Sequence, residues 1–119
     1  MMIRTGLVFC LMAVLLTSGC VTTREDRVNT LKSTYPQWDQ STIEKVIDRQ
    51  VEIGMTEEMV RAMRKPGSTR KEGDVTIWEY SRMRKDNMGI YQPTTFFYVH
   101  FRNGRVIDIQ GDKSVMTDW

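Results

Sequence analysis

Histidine, cysteine, methionine and the acids are the side chains through which a chain of this size could do chemistry, and they are sparse here. His100 is the single histidine, and the two cysteines, Cys10 and Cys20, fall inside and at the end of an N-terminal apolar run. A zinc or copper site of the usual nitrogen and sulfur ligands cannot be assembled from one protomer of such a chain. Met55, Met59 and Met63 recur at i, i+4 and i+8, a spacing that suits soft-metal ligation but far more often fills a core. Serines are scattered without an accompanying His and Asp motif, and the acids stand beside bases rather than as isolated carboxylates. These absences point to a protein that is not an enzyme and takes no metal or cofactor.

Binding is the remaining chemistry, and two residue sets could carry it. Arg64, Lys65, Arg70 and Lys71 precede the first long strand-like segment, and Arg102 and Arg105 flank a later turn; an antiparallel meander would bring all six to one end. Glu72 and Asp74 dilute that cluster. It reads either as a solvated, mixed-charge loop end or as a contact for anionic lipid head groups or an acidic partner surface. The aromatic set is the second candidate. Trp78 and Tyr80 share one strand face, as do Phe96 and Tyr98. With one pair in the core, the other forms an exposed patch suited to binding protein.

Composition sets the frame for both. At 119 residues, 40% hydrophobic and 27% charged, the chain has room for one ordinary globular domain. The formal charge of +2 falls to +1 without residues 1–19, which contain Arg4 and no acid, so nothing suggests nucleic acid as a partner. Residues 1–5 carry one positive charge, 6–16 are almost uninterrupted apolar sequence, and Thr17-Ser18-Gly19 lead into Cys20. This is the layout of a secretory signal peptide, with an apolar run too short for the ~20 residues a bilayer span takes. The small-small-Cys ending resembles the lipobox of bacterial lipoproteins, although Thr17 stands where that family prefers leucine. The resemblance implies that Cys20 is lipidated and becomes the first residue, a stable anchor because each buried CH₂ contributes about 0.8 kcal/mol. Val21, where an aspartate would retain the protein at the inner membrane, implies sorting to the outer membrane with the domain facing the periplasm.

Residues 20–40 are polar with few apolar positions and read as a flexible tether, able to reach roughly 25 Å on average and at most about 70 Å. Trp38 reads either as an entry residue packing on the first helix or as an interfacial aromatic touching lipid. Ser41 and Glu44 have capping-box spacing, and Ile43, Val46, Ile47 and Val51 follow on one face, which predicts a helix from 41 to about 52. Thr56 followed by Glu57 and Glu58 predicts a second helix from 57 to about 64, stopped by Lys65-Pro66-Gly67. Residues 67–73 read as a loop. Strands are expected over 75–82, 94–102 and 105–110, with 83–93 a long polar connection. Asn103-Gly104 signals a hairpin. A three-residue loop, 102–104, would put Phe97, Val99, Phe101, Ile107 and Ile109 on one core face, and it is expected for that reason. His100 then faces solvent. The expectation is an α+β fold with two N-terminal helices on a three-stranded antiparallel sheet, a domain at 41–111 and a polar tail at 112–119.

Taken in order, Ile53-Gly54-Met55-Thr56, Val60, Pro66, Trp78-Glu79-Tyr80 and Phe101-Arg102-Asn103-Gly104-Arg105-Val106 resemble the BamE/SmpA/OmlA family of outer-membrane lipoproteins. The likeness covers roughly residues 41 to 110. It implies a helix-helix-three-strand fold similar to each half of β-lactamase-inhibitor protein, and a role as accessory subunit of the machinery that inserts β-barrels into the outer membrane. Where the family has Leu-Gly near the helix end, this chain has Met63-Arg64, so its helix must stop without that glycine, with Gly67 the available substitute. The alternative function on the same fold is a small periplasmic inhibitor or a lipid- or peptidoglycan-associated binding module.

Overall fold

The computed structural model describes residues 23–117. The expected signal peptide at 1–19, the anchor Cys20 and the terminal Trp119 lie outside the described residues. Among the described residues the fold is α+β, with three α-helices and a four-stranded antiparallel sheet in the order β1-β2-β3-β4.

The first helix, α1 (Arg24–Thr34), occupies sequence expected to be tether. Thr23 and Asp26 form a capping box, each side chain accepting from the other's backbone N–H, at 3.2 and 3.1 Å. Periodicity could not reveal α1 because it buries no residue fully; only Val28 and Leu31 lean on the core. It is held from outside, by an ion pair from Arg24 to Asp48 and by the connection that follows it. There the Tyr35 and Trp38 rings stack 3.8 Å apart, and Trp38 is buried in the core rather than exposed to lipid.

Asp39, not Ser41, caps α2 (Gln40–Ile47), accepting from the Thr42 N–H at 2.7 Å. Its carboxylate is the stronger partner for the positive end of the helix dipole. The helix ends sooner than expected, because Arg49 takes a positive φ of 54° and turns the chain back along the sheet. Residues 54 and 55 then pair with the edge of β4, through Gly54 N–H to Val106 O and Val106 N–H to Met55 O, both 2.8 Å. Thr56 caps α3 (Glu57–Met63) as its sequence signals. The glycine substitute is not used. Arg64 turns extended at once, its carbonyl accepts a 2.9 Å hydrogen bond from the buried Tyr80 hydroxyl, and Gly67 N–H bonds instead to Glu79 O.

Residues expected as a loop form β1 (Ser68–Glu72). The long connection is mostly strand, since β2 (Val75–Lys85) and β3 (Tyr91–Arg102) run past a bulge that leaves Thr94 without a partner between the Arg82–Thr95 and Met83–Pro93 pairs. Pro93, which has no N–H to offer the ladder, is placed at that irregularity. The turn before β4 (Arg105–Gly111) has the two residues Asn103 and Gly104, both at positive φ, with Arg102 opposite Arg105. The expected three-residue loop is therefore replaced by a tight turn plus a bulge at Ile107. The bulge restores one core face by another route: Val106 is buried at 1% exposure and Ile107 is displaced to 38%. Beyond β4 the expected tail folds as a 3₁₀ helix (Lys113–Met116) that buries Val115 and Met116.

One face of the sheet, with Trp78, Tyr80, Phe97, Val99 and Phe101, packs against Ile43, Val46, Val51, Val60 and Met63 of the helical layer. Gly111, at φ +91°, lets β4 end against β3, where an added Cβ would lie 2.4 Å from Phe96 O. Gly111→Ala is expected to destabilise the fold by about 2–4 kcal/mol, whereas Gly104→Ala, with open space around it, loses only about 1 kcal/mol; denaturant titration of both variants checks the contrast.

Three carboxylates sit below their ordinary range: Asp48 through the Arg24 side chain, Asp39 through the Thr42 backbone N–H, and Asp112 through the Ser114 hydroxyl. A depressed folded-state pKa contributes stability above the unfolded value and loses it as pH falls through the folded one. The thermal midpoint is therefore expected to hold down to about pH 5 and to fall below about pH 4. The triple variant D39N, D48N, D112N should flatten that fall in scanning calorimetry.

Candidate functional site

The six basic residues do not all gather at one end. Arg64 is drawn inward at the end of α3, donating to Val115 O at 2.7 Å and Ser81 O at 3.3 Å, and Lys65 beside it is exposed at that same level. Arg70 and Lys71 pair with Ile77 and Thr76, which places them on opposite faces of β1. Arg102 and Arg105 share the turn end, with Lys71 one ladder step and Arg70 two steps from it, while Arg64 and Lys65 lie at the other end beside Ser81. Arg102 is bridged to Asp74 at 3.1 Å and Arg105 donates to Gly54 O at 2.9 Å. The basic end is thus a solvated, mixed-charge surface.

Of the aromatic pairs, Trp78 and Tyr80 are core residues and drop out as contact candidates. Arg61 lies over the Trp78 ring at 4.8 Å and Arg64 over the Tyr80 ring at 5.9 Å. Burial pushes the Tyr80 phenol well above its ordinary pKa, so it stays a neutral donor to the end of α3. Met55 and Met63 are buried and Met59 packs against the core, so the methionine series fills space.

What remains is the sheet face opposite the helices. Strand alternation puts Ile77, Glu79 and Ser81 of β2 beside Phe96, Tyr98 and His100 of β3. Ile77 is only 2% exposed although none of the described helices packs on this side; its cross-strand neighbours Arg70 and His100 flank it. Phe96 and Tyr98 lie parallel, 6.2 Å apart, and the Arg70 guanidinium is 6.0 Å from the Tyr98 ring. Next to Phe96 a groove of about 220 Å³ is lined by Ser68, Glu79, Ser81, Met83 and Pro93, with the Ser68 hydroxyl donating to Glu79 at 3.0 Å. The surface combines two half-buried aromatic rings with polar groups directly opposite them, Glu79 facing Tyr98 and Ser81 facing Phe96. Among the described residues no group of three or more His, Cys, Asp or Glu side chains could hold a metal ion. None of their helices is long and apolar enough to cross a membrane.

Sequence alternation identified Phe96 and Tyr98 as a pair but could not choose between the pairs, because both strand faces are aromatic. β1, whose charged composition gave no strand signal, adds Ser68 and places Arg70, a candidate only as part of the basic cluster, beside Tyr98. No protein-family model matches the chain, and neither a curated protein nor a solved structure does.

The two adjacent bases make a sharp contrast. Arg64→Ala is expected to destabilise by about 2–3 kcal/mol, since it strands two carbonyl acceptors, while Lys65→Ala should stay within about 0.5 kcal/mol; urea denaturation of each variant reads the difference.

Proposed function

We propose that this chain is a non-enzymatic outer-membrane lipoprotein, anchored through Cys20, whose periplasmic α+β domain is an accessory scaffold or regulator of an envelope protein complex. The sheet face opposite the described helices carries this reading: Phe96, Tyr98 and Arg70 are arranged for contact on the side of the sheet that those helices leave open. The order α2, α3, β2, β3, β4 is consistent with the helix-helix-three-strand arrangement of the BamE/SmpA/OmlA family, with α1 and β1 as additions. On that resemblance the complex is the β-barrel assembly machinery.

The test is affinity purification of the tagged full-length protein from envelope membranes after gentle crosslinking, with Cys20→Ala and Tyr98→Asp variants alongside. Barrel-assembly subunits should be enriched with the parent and lost or weakened with both variants. Undiminished recovery with Tyr98→Asp would remove the sheet face as the contact. Recovery of a different envelope protein, or of none, would overturn the barrel-assembly role.

A further inference from the structure

The turn of the β2–β3 hairpin is built by one acid. Asp86 N–H donates to Ile90 O at 2.9 Å, and its carboxylate accepts from Met88 N–H, Ile90 N–H and the Gln92 amide at 2.8, 2.9 and 3.1 Å. That turn lifts apolar side chains into solvent. Of the six large hydrophobic residues exposed among the described ones, four are here: Met83, Met88, Ile90 and Tyr91, with Met88 84% exposed. Arg84 and Lys85 follow behind them on alternate faces of β2, Lys85 5.7 Å from the Tyr91 ring. Asp86 is the one acid of the tip, and its oxygens are engaged within the turn.

We propose that this tip is a membrane contact, with Met88, Ile90 and Tyr91 entering the headgroup region of an anionic bilayer and Arg84 and Lys85 meeting the lipid phosphates. Shape favours a planar partner, since the tip is convex. Size does as well: four side chains fall short of the ~800 Å² per partner that a stable protein contact takes, yet suffice as the second of two weak membrane signals. The pairing of apolar tip and flanking bases matches an interface with negative charge at its surface.

The placement of the tip agrees. Arg24, at the start of α1, pairs with Asp48; the adjacent Arg49 donates to Met116 O at 3.3 Å; and Arg82, at the base of the tip, donates to Ser114 at 2.7 Å. The start of α1 and the hairpin therefore share the end of the domain that carries the 3₁₀ helix. The four-residue step from Cys20 to Arg24 can reach at most about 14 Å. An anchor at Cys20 would hold that end of the domain against the bilayer. The nearness of the bilayer rests on the anchored reading; the chemistry of the tip does not.

The experiment reconstitutes the full-length chain and its Met88→Trp variant into phosphatidylcholine–phosphatidylglycerol vesicles, with and without brominated acyl chains. The reading is the emission of the variant minus that of the parent, which isolates residue 88. The expected result is blue-shifted difference emission that brominated lipid quenches, with the quenching reduced in pure phosphatidylcholine and when Arg84→Glu and Lys85→Glu are added. Water-like, unquenched emission from a chain that floats with the vesicles would overturn the proposal while leaving the anchored scaffold intact. Equal quenching in neutral and anionic vesicles would overturn its anionic part. Quenching by a chain that recovers no envelope complex would support the tip and count only against the scaffold reading. Unchanged circular dichroism of each variant shows that the comparison is made on folded protein.

Discussion

The end of α3 is where the helical layer, the sheet and the C-terminal segment are joined. The Arg64 carbonyl accepts from the Tyr80 hydroxyl, and its guanidinium donates to the carbonyls of Ser81 and Val115. Tyr80 is buried, so its hydroxyl must find a partner there or carry the full desolvation penalty. A helix that stopped with a glycine cap would not deliver a carbonyl to that place. The abrupt change from helical to extended backbone at Arg64 does. It also aims the side chain across β2 towards the 3₁₀ helix, whose Val115 and Met116 close the core at that end. The lower part of the domain depends on a second device, the pairing of residues 54 and 55 with Val106, which sets where α3 begins.

Much of this was legible in the sequence, and the failures are instructive. Thr56 with Glu57 and Glu58 announced α3, and alternation announced β2 and β3, because each signal is local. The hairpin register was misjudged for a specific reason. Seeking one apolar face from 97 to 109 is correct, but a bulge can supply the odd residue as readily as a longer loop, and the Asn103-Gly104 pair already specified the tight turn. Helix α1 has a local capping signal in Thr23 and Asp26 but no apolar periodicity behind it, while strand β1 and the 3₁₀ helix are defined by partners distant in sequence: β2 for 68–72, and the open end of the core for Val115 and Met116. Of the candidate surface, Phe96 and Tyr98 could be seen as a pair. That they, and not Trp78 and Tyr80, face outward is decided only by which side the helices cover.

Helix α1, in place of much of the expected tether, changes the mechanics of the proposed anchored protein. A coil of some twenty residues would let the domain search a wide volume at low effective concentration. With α1 starting at Arg24, the search is confined and the orientation of the domain is biased. In the proposed anchored protein the aromatic sheet face would then lie within a narrow layer at the membrane.

Finally, β1 decides how the sheet ends. Its five residues, Ser68 to Glu72, are all exposed and three are charged, and on the far side residues 54 and 55 occupy the β4 edge at Val106. Charged edges and covered edges are the two common ways of discouraging strand addition. A domain working among unfolded barrel precursors would meet many unpaired strands, each a template for adventitious pairing. The β1 edge and the Val106 end of β4 are therefore poor templates for an added strand.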